Sequence, residues 1–251
     1  MCGRFTLKTP VLEWLIHFFP QFGDHWTHAT RALFEQAPKL ALPRWNIAPT
    51  QEVLVLSSTV PGEPPLLRTM RWGLIPSWAS ADNIGYSMIN ARSETLAEKP
   101  SFRSLLPQHR CVVLADGYYE WKKSPDHGTK QKKTPFWIHR PNEAPLAMAG
   151  LWTSNRRVVP DSDCLTTTII TADANDDTRA VHDRMPVFLE EGIPIQRWLS
   201  LELGPEEWPL YLAPRTSGCL ELRKVSDRVN SPKNEGISLL EEVERSPSSM
   251  D

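Results

Sequence analysis

The second residue of the chain is a cysteine, and a cysteine there can become a nucleophile that no internal residue matches. Methionine aminopeptidase removes an initiator Met when the next side chain is as small as Cys, so the mature chain is expected to begin at Cys2 with a free α-amine. Amine and thiol on adjacent carbons make a 1,2-aminothiol. They titrate at about 8 and about 8.5, so both nucleophiles are partly available at neutral pH before any tuning by the site. Toward an aldehyde the amine forms a Schiff base, and the neighbouring thiol closes a five-membered thiazolidine. A lysine cannot close that ring. Taken alone, Cys2 is also compatible with being merely a small side chain behind the initiator.

Six short blocks give that cysteine a context: MCGRF at the start, RWNIAPT at 44–50, RWGLIPSW at 71–78, INARSET at 89–95, ADGYYEW at 115–121 and VHDRMPV at 181–187. A weaker echo, VSDRVNSPKNEG, follows at 225–236. In this order the blocks resemble the SOS-response-associated peptidase family, whose members are abasic-site processing proteins, and the resemblance spans most of the chain. It implies a single β-rich, barrel-like domain that crosslinks its N-terminal cysteine to abasic sites in single-stranded DNA, with lyase-like chemistry and a cysteine-type (auto)peptidase activity as the companion possibility.

The blocks supply residues suited to that reaction. An abasic deoxyribose is mostly a closed hemiacetal, so a general acid must open the ring; His182 in VHDR has the side chain whose proton equilibrium lies nearest neutrality. Glu120, between Tyr119 and Trp121 on an expected strand, resembles the family's catalytic glutamate. Partial burial there raises its proton affinity and suits it to moving protons during imine formation. Asn90 in INAR matches the family's active-site asparagine and can hold the amine or a sugar hydroxyl. Arg4, Arg92 and Arg184 each lie within two residues of a proposed catalytic position, and guanidinium groups grip phosphate bidentately. Salt bridges to Asp183 or Glu94 are the plain alternative for these arginines. Asn46 could donate to a phosphate or base edge, or shape a loop. Trp78, after a Pro-Ser turn, could stack on an unpaired base, whereas Trp72 suits the core.

Those residues need a scaffold, and the sequence describes one made of many short pieces. The 251 residues include 23 Pro and 10 Trp, the prolines scattered rather than gathered into a linker. Strand-type runs occur at 51–56, 66–72, 111–115, 118–122, 136–139, 146–152 and 165–171, rich in Val, Thr, Trp and Tyr and bounded by turn formers. Val11, Leu12, Leu15, Ile16 and Phe19 recur at helical spacing over 10–19, and shorter helices are expected at 101–106 and 194–199. The expected fold is α+β, β-rich, one barrel-like domain over 1–236 with a few peripheral helices. Loops at 124–134 and 154–163 read as poorly ordered, and 237–251 as a frayed acidic tail.

Composition excludes several classes. Lys and Arg total 28 against 30 Asp and Glu, a net charge of -2, so whole-molecule attraction to polyanions is ruled out. Nine basic against three acidic residues over 99–140 leave room for a basic face. No apolar run is long enough to span a bilayer, and the opening residues lack a secretory signal. Cysteines at 2, 111, 164 and 219 have neither disulfide-framework nor zinc spacing. A cytosolic monomer with reduced thiols, no metal and no cofactor is expected. Two competing functions use the same residues differently: a cysteine peptidase that processes its own N-terminus, and a noncovalent single-strand binding module.

Overall fold

A computed structural model describes residues 2–123, 133–158, 164–190 and 193–243. Its strands in chain order are β1 (Arg4–Leu7), β2 (Arg44–Ile47), β3 (Glu52–Ser57), β4 (Leu66–Trp72), β5 (Asn90–Arg92), β6 (Arg110–Ala115), β7 (Gly117–Lys123), β8 (Lys133–His139), β9 (Leu146–Ser154), β10 (Leu165–Asp173), β11 (Arg184–Pro186), β12 (Phe188–Leu189) and β13 (Glu221–Lys224). The helices are α1 (Val11–Phe18), α2 (Gly23–Gln36), α3 (Pro100–Arg103), α4 (Ile193–Leu199) and α5 (Trp208–Leu212).

Five strands close on themselves. β4 pairs β3, β3 pairs β6, β6 pairs β9 and β9 pairs β10, all antiparallel, and β10 returns to β4 in parallel. Closure removes the free edges that would otherwise invite aggregation. Both faces of these strands are covered: the consecutive pairs Val55 and Leu56, Val112 and Val113, and Ile169 and Ile170 point alternately into the barrel and outward against the elements packed on it, and all six are at most 1% exposed. β10 is nine residues long, and its last part pairs with β5 and β11 instead of the barrel. That extension brings Asn90, Arg92 and Arg184 to one end of the barrel.

The second sheet runs β13-β8-β7-β1-β2, antiparallel throughout. Only Asp116 separates β6 from β7, so the chain steps from barrel to sheet in a single residue. The Asp116 carboxylate makes that step rigid by accepting from the Lys8 and Thr9 amides. Gly117 follows because nothing larger fits: a Cβ there would lie 2.5 Å from Trp137 Nε1 and 2.7 Å from the Ile138 carbonyl oxygen.

The seven expected strands all form, at bounds within three residues of the sequence reading. α1 forms as expected, but its buried face is Val11, Trp14, Leu15 and Phe18, with Ile16 exposed. Trp14 turns the helix by donating from its indole to the Ala115 carbonyl (3.0 Å) and packing on Phe18. The tail differs from expectation in its first part. Leu239 and Leu240 are buried and the Val243 amide donates to the Lys224 carbonyl, so the packed body continues through 243. Residues 244–251 lie outside the described residues, as do 124–132 and 159–163 of the expected loops at 124–134 and 154–163; Asn155, in the second of those loops, is fully buried.

Burial gives the fold an alkaline weakness. The Cys111 thiol, fully buried, is pushed up to about 12 by desolvation, and burial likewise raises Cys2, Tyr118 and Tyr119. Each folded value lies above its unfolded one, so the native state keeps protons that the unfolded chain sheds. The stability these groups contribute is therefore complete below about pH 8.5 and is lost as pH rises toward the folded values, at about 1.4 kcal/mol per group per unit. Urea midpoints should fall steeply between pH 8 and 10.5, and less steeply for Cys111→Ser. A midpoint constant over that range would contradict the account.

Candidate active site

Cys2 sits just before β1, and β1 is held on both sides, by β7 and by β2. The β1–β7 register sets Arg4 opposite Tyr119 and Phe5 opposite Tyr118, so Cys2 emerges at the Glu120 end of β7. Strand alternation then sorts the YYEW block. Tyr118 and Glu120 face the interior, and Tyr119 faces the other way into a small cluster with Trp137, Val225 and Val229, joined by Trp45 and Trp121.

Cys2 is fully buried, and Glu120 is only 3% exposed. The Cys2 thiol donates weakly to the Arg4 carbonyl (3.7 Å). Burial, with the Glu120 carboxylate beside it, pushes the thiol well above the ordinary range, so the site holds it as SH and not as the partly ionised group that an exposed cysteine would be. Glu120 is itself raised by burial, and the nearby His182 pulls it back down. A carboxylate in this setting is a ready proton acceptor for the thiol. A solvent-facing glutamate, the plain alternative for position 120, is excluded by its burial.

Asn90 arrives from the other sheet. β5 pairs Asn90 with Ile169 of β10, and the side-chain amide donates to the Cys2 carbonyl at 2.8 Å. Its Oδ1 is buried without a partner, leaving an acceptor in the site. His182 comes from the β10–β11 turn, where its own amide and that of Val181 both donate to the Thr178 carbonyl. Its Nδ1 lies 3.0 Å from the Arg184 amide and 2.9 Å from Asp183 Oδ1. These contacts alternate with protonation: a neutral ring that accepts from Arg184 carries its proton on Nε2, whereas the imidazolium donates from Nδ1 to Asp183. Four residues from four separate blocks thus meet at one end of the barrel.

The expected DNA contacts divide. Arg92 and Trp78 are exposed, Trp78 at 56%. Arg184 is buried and engaged: Glu94 grips it bidentately at 2.8 and 2.9 Å, and it also reaches Asp173 and the Thr171 carbonyl. Burial lowers its pKa, and the two carboxylates more than offset that. Arg4 donates to Asn46 Oδ1 and to the Val229 and Asn230 carbonyls. Asn46 is fully buried, and its amide donates to the carbonyls of Val229, Ser231 and Asn234. Trp121 adds a bond from its indole to Asn230 Oδ1. Arg4 and Asn46 therefore tie the VNSPKNEG segment across the end of the five-stranded sheet, and contact with DNA would require breaking those bonds.

Tyr118 was not singled out from the sequence. Its buried ring shares the inward face of β7 with Glu120, and the Cys2 and Glu120 charges add to burial in raising its hydroxyl. Strand period two, counted back from Glu120, was the available signal. Among the described residues, no three His, Cys, Asp or Glu side chains gather as metal ligands, and no helix is long and apolar enough to cross a membrane.

Comparison with known proteins gives the family and supports the fold. The chain is 36% identical over 249 residues to the abasic site processing protein YoaM of Bacillus subtilis, covering 96% of this chain and 98% of that one. It is 32% identical over 205 residues to the abasic site processing protein YedK of Escherichia coli, covering 80% and 85%. A crystal structure of a protein from Bacteroides thetaiotaomicron superposes with a TM-score of 0.77 at 22% identity, covering 96% of this chain and all of that one, which shows a shared fold. A family model, SOS response associated peptidase (SRAP), matches residues 1–232, through every element that carries Cys2, Asn90, Glu120 and His182. The chain belongs to the SRAP family.

Proposed function

We propose that this protein processes abasic sites in single-stranded DNA by joining its N-terminal Cys2 to the exposed sugar aldehyde as a thiazolidine. The observation that carries the reading is the pairing of a buried, protonated Cys2 thiol with the Glu120 carboxyl, with Asn90 fixing the Cys2 backbone. The relatives' names, which specify abasic site processing, support it.

The steps balance as follows. His182 donates a proton to the ring oxygen as its bond to the anomeric carbon breaks, and the anomeric hydroxyl gives up its own proton to solvent as it becomes the aldehyde carbonyl, so the opening is proton-neutral overall. The α-amine, free once Met1 is removed, attacks the carbonyl carbon, and the carbinolamine loses water to give the imine. Glu120 carries protons at the amine and at the departing hydroxyl. The thiol then adds across the C=N bond: sulfur bonds to carbon and the proton passes through Glu120 to nitrogen. One water is the only product besides the adduct.

This order suits a thiol with a raised pKa, because the amine attacks first and sulfur is needed only for the ring closure. A cysteine peptidase requires the opposite arrangement, a thiolate stabilised by a nearby cation; here burial, with the Glu120 carboxylate adding to it, raises the thiol. Arg92 is the guanidinium left exposed to hold a flanking phosphate, and Trp78 the ring left exposed to stack on a base. An abasic sugar must reach a buried terminus, which an unpaired strand permits more easily than a duplex.

The test is a denaturing gel of protein shown by intact mass to begin at Cys2, mixed with single-stranded DNA bearing one abasic site. An SDS-resistant adduct mapped to Cys2, weaker on duplex, is the expected result. No adduct, or attachment at a lysine or an internal cysteine, overturns the proposal.

A further inference from the structure

The core does not absorb α5. Its five residues, WPLYL, are all apolar, and a helix apolar all round is ordinarily buried, yet none of the five is buried here and Leu210 is 75% exposed. Trp208, Tyr211 and Leu212 touch the main core with part of their surface. An apolar surface left open in this way marks a place where another molecule docks.

Beside the helix lies a cavity of about 450 Å³, within the range of ligand pockets. Leu96, Leu106, Trp208, Pro209, Leu212 and Pro214 supply its apolar wall, and the Trp208 indole N–H is buried without a hydrogen-bond partner. One end is acidic. Glu94 and Asp173 line it, and they share a single counter-ion, the Arg184 guanidinium, so one negative charge is left over. Glu94 engages Arg184 through both oxygens, which holds its carboxyl below the ordinary range. Asp173 engages it through Oδ1 alone, and its side chain is 73% exposed. No Lys, Arg or His is among the described residues that line the cavity.

These features select the occupant. The surplus carboxylate repels phosphate, so nucleic acid and anionic membrane surfaces are disfavoured and a cation is favoured. Leu210, next to Pro209 on the helix, carries the apolar surface past the cavity, which suits an extended chain better than a small molecule. We propose that the cavity and α5 together dock a short segment of a partner protein, in which an apolar residue fills the cavity beside a Lys or Arg that reaches Asp173. This site is separate from the reaction proposed for Cys2 and does not depend on it.

The test pans a displayed library of random peptides against the whole protein and measures the tightest recovered peptide by fluorescence anisotropy. The expected sequences place an apolar residue next to Lys or Arg, and exchanging that basic residue for Glu should weaken binding at least about 10-fold, because like charges then meet. Ala97→Arg blocks the site. Ala97 is exposed and lines the cavity, so the longer cationic side chain occupies the space and neutralises its acidic end without entering the core. Binding should fall at least about 10-fold in this variant at an unchanged urea midpoint. Leu210→Ser should cost about 10-fold, the lower end for covering one leucine. Failure to recover a peptide, enrichment of acidic sequences, or binding unchanged in Ala97→Arg overturns the proposal. So does a dimer in sedimentation that Ala97→Arg dissolves, which assigns the surface to a second copy of the chain.

Discussion

Cys2→Ser is expected to abolish the SDS- and heat-stable adduct with abasic single-stranded DNA while leaving a borohydride-trappable imine. The amine that starts the reaction survives the substitution, because position 2 stays small and Met1 removal is still favoured. What disappears is the sulfur that closes the ring. A serine hydroxyl is a far weaker nucleophile than a thiol and holds its proton far more tightly, so even a carboxylate raised by burial deprotonates it poorly. The imine then hydrolyses, so yield without trapping should fall to background. A stable adduct in Cys2→Ser equal to wild type would mean that another residue bonds the sugar. Loss of even the trapped imine would mean that the amine is not the first nucleophile.

The second large effect separates His182 from Glu120. Ring opening needs an acid at the sugar oxygen, whereas imine and thiazolidine formation need proton movement at nitrogen and sulfur, and each such group contributes about 100-fold to 10,000-fold. His182→Ala should therefore slow reaction with an abasic site far more than reaction with a simple open-chain aldehyde, which has no ring to open. Glu120→Gln should slow both. Because burial raises the Glu120 carboxyl, the acid limb of the wild-type rate should lie above the ordinary carboxylate range and vanish in Glu120→Gln. Two variants equally slow on both substrates would reassign His182 to a positioning role, for which its turn and its contact with the Arg184 amide already suit it.

How much of this was readable in the chain depends on how far each signal reaches. Runs such as Leu66–Trp72 and Leu146–Ser154 have β-branched or aromatic character over several residues, and they appear where expected. Strands of two to four residues, such as β5, β11 and β12, carry too few side chains for any period; they form because β10 and β9 offer an edge. α2 was missed because only Trp26 and Thr30 of its 14 residues are buried, so no continuous apolar stripe marks it. At the site, burial was the unreadable quantity. Asn46 and Asn90 look alike in sequence, yet one closes a structural knot and the other holds the nucleophile's backbone. The two depend on partners more than 80 positions away, as do Arg4 and Arg184 with Val229 and Glu94. No local pattern encodes such pairings.

The C-terminal segment that Arg4, Asn46 and Trp121 tie down also sets a timetable. Residue 229 leaves the ribosome 227 positions after Cys2, roughly 10 to 45 s later at ordinary synthesis rates. β7 is made about halfway through that interval, but until its end this segment is not in place to tie Arg4 and Asn46, and the first residues are a more accessible peptide. Afterwards Cys2 is fully buried, and an aminopeptidase can no longer grip the bond before it. If the reaction proposed for Cys2 holds, removal of Met1 by an aminopeptidase is therefore expected on the nascent chain, and the pool of reactive protein is then set early. Protein refolded with Met1 attached should resist later trimming, so enzyme made faster than its methionine is removed stays permanently unreactive.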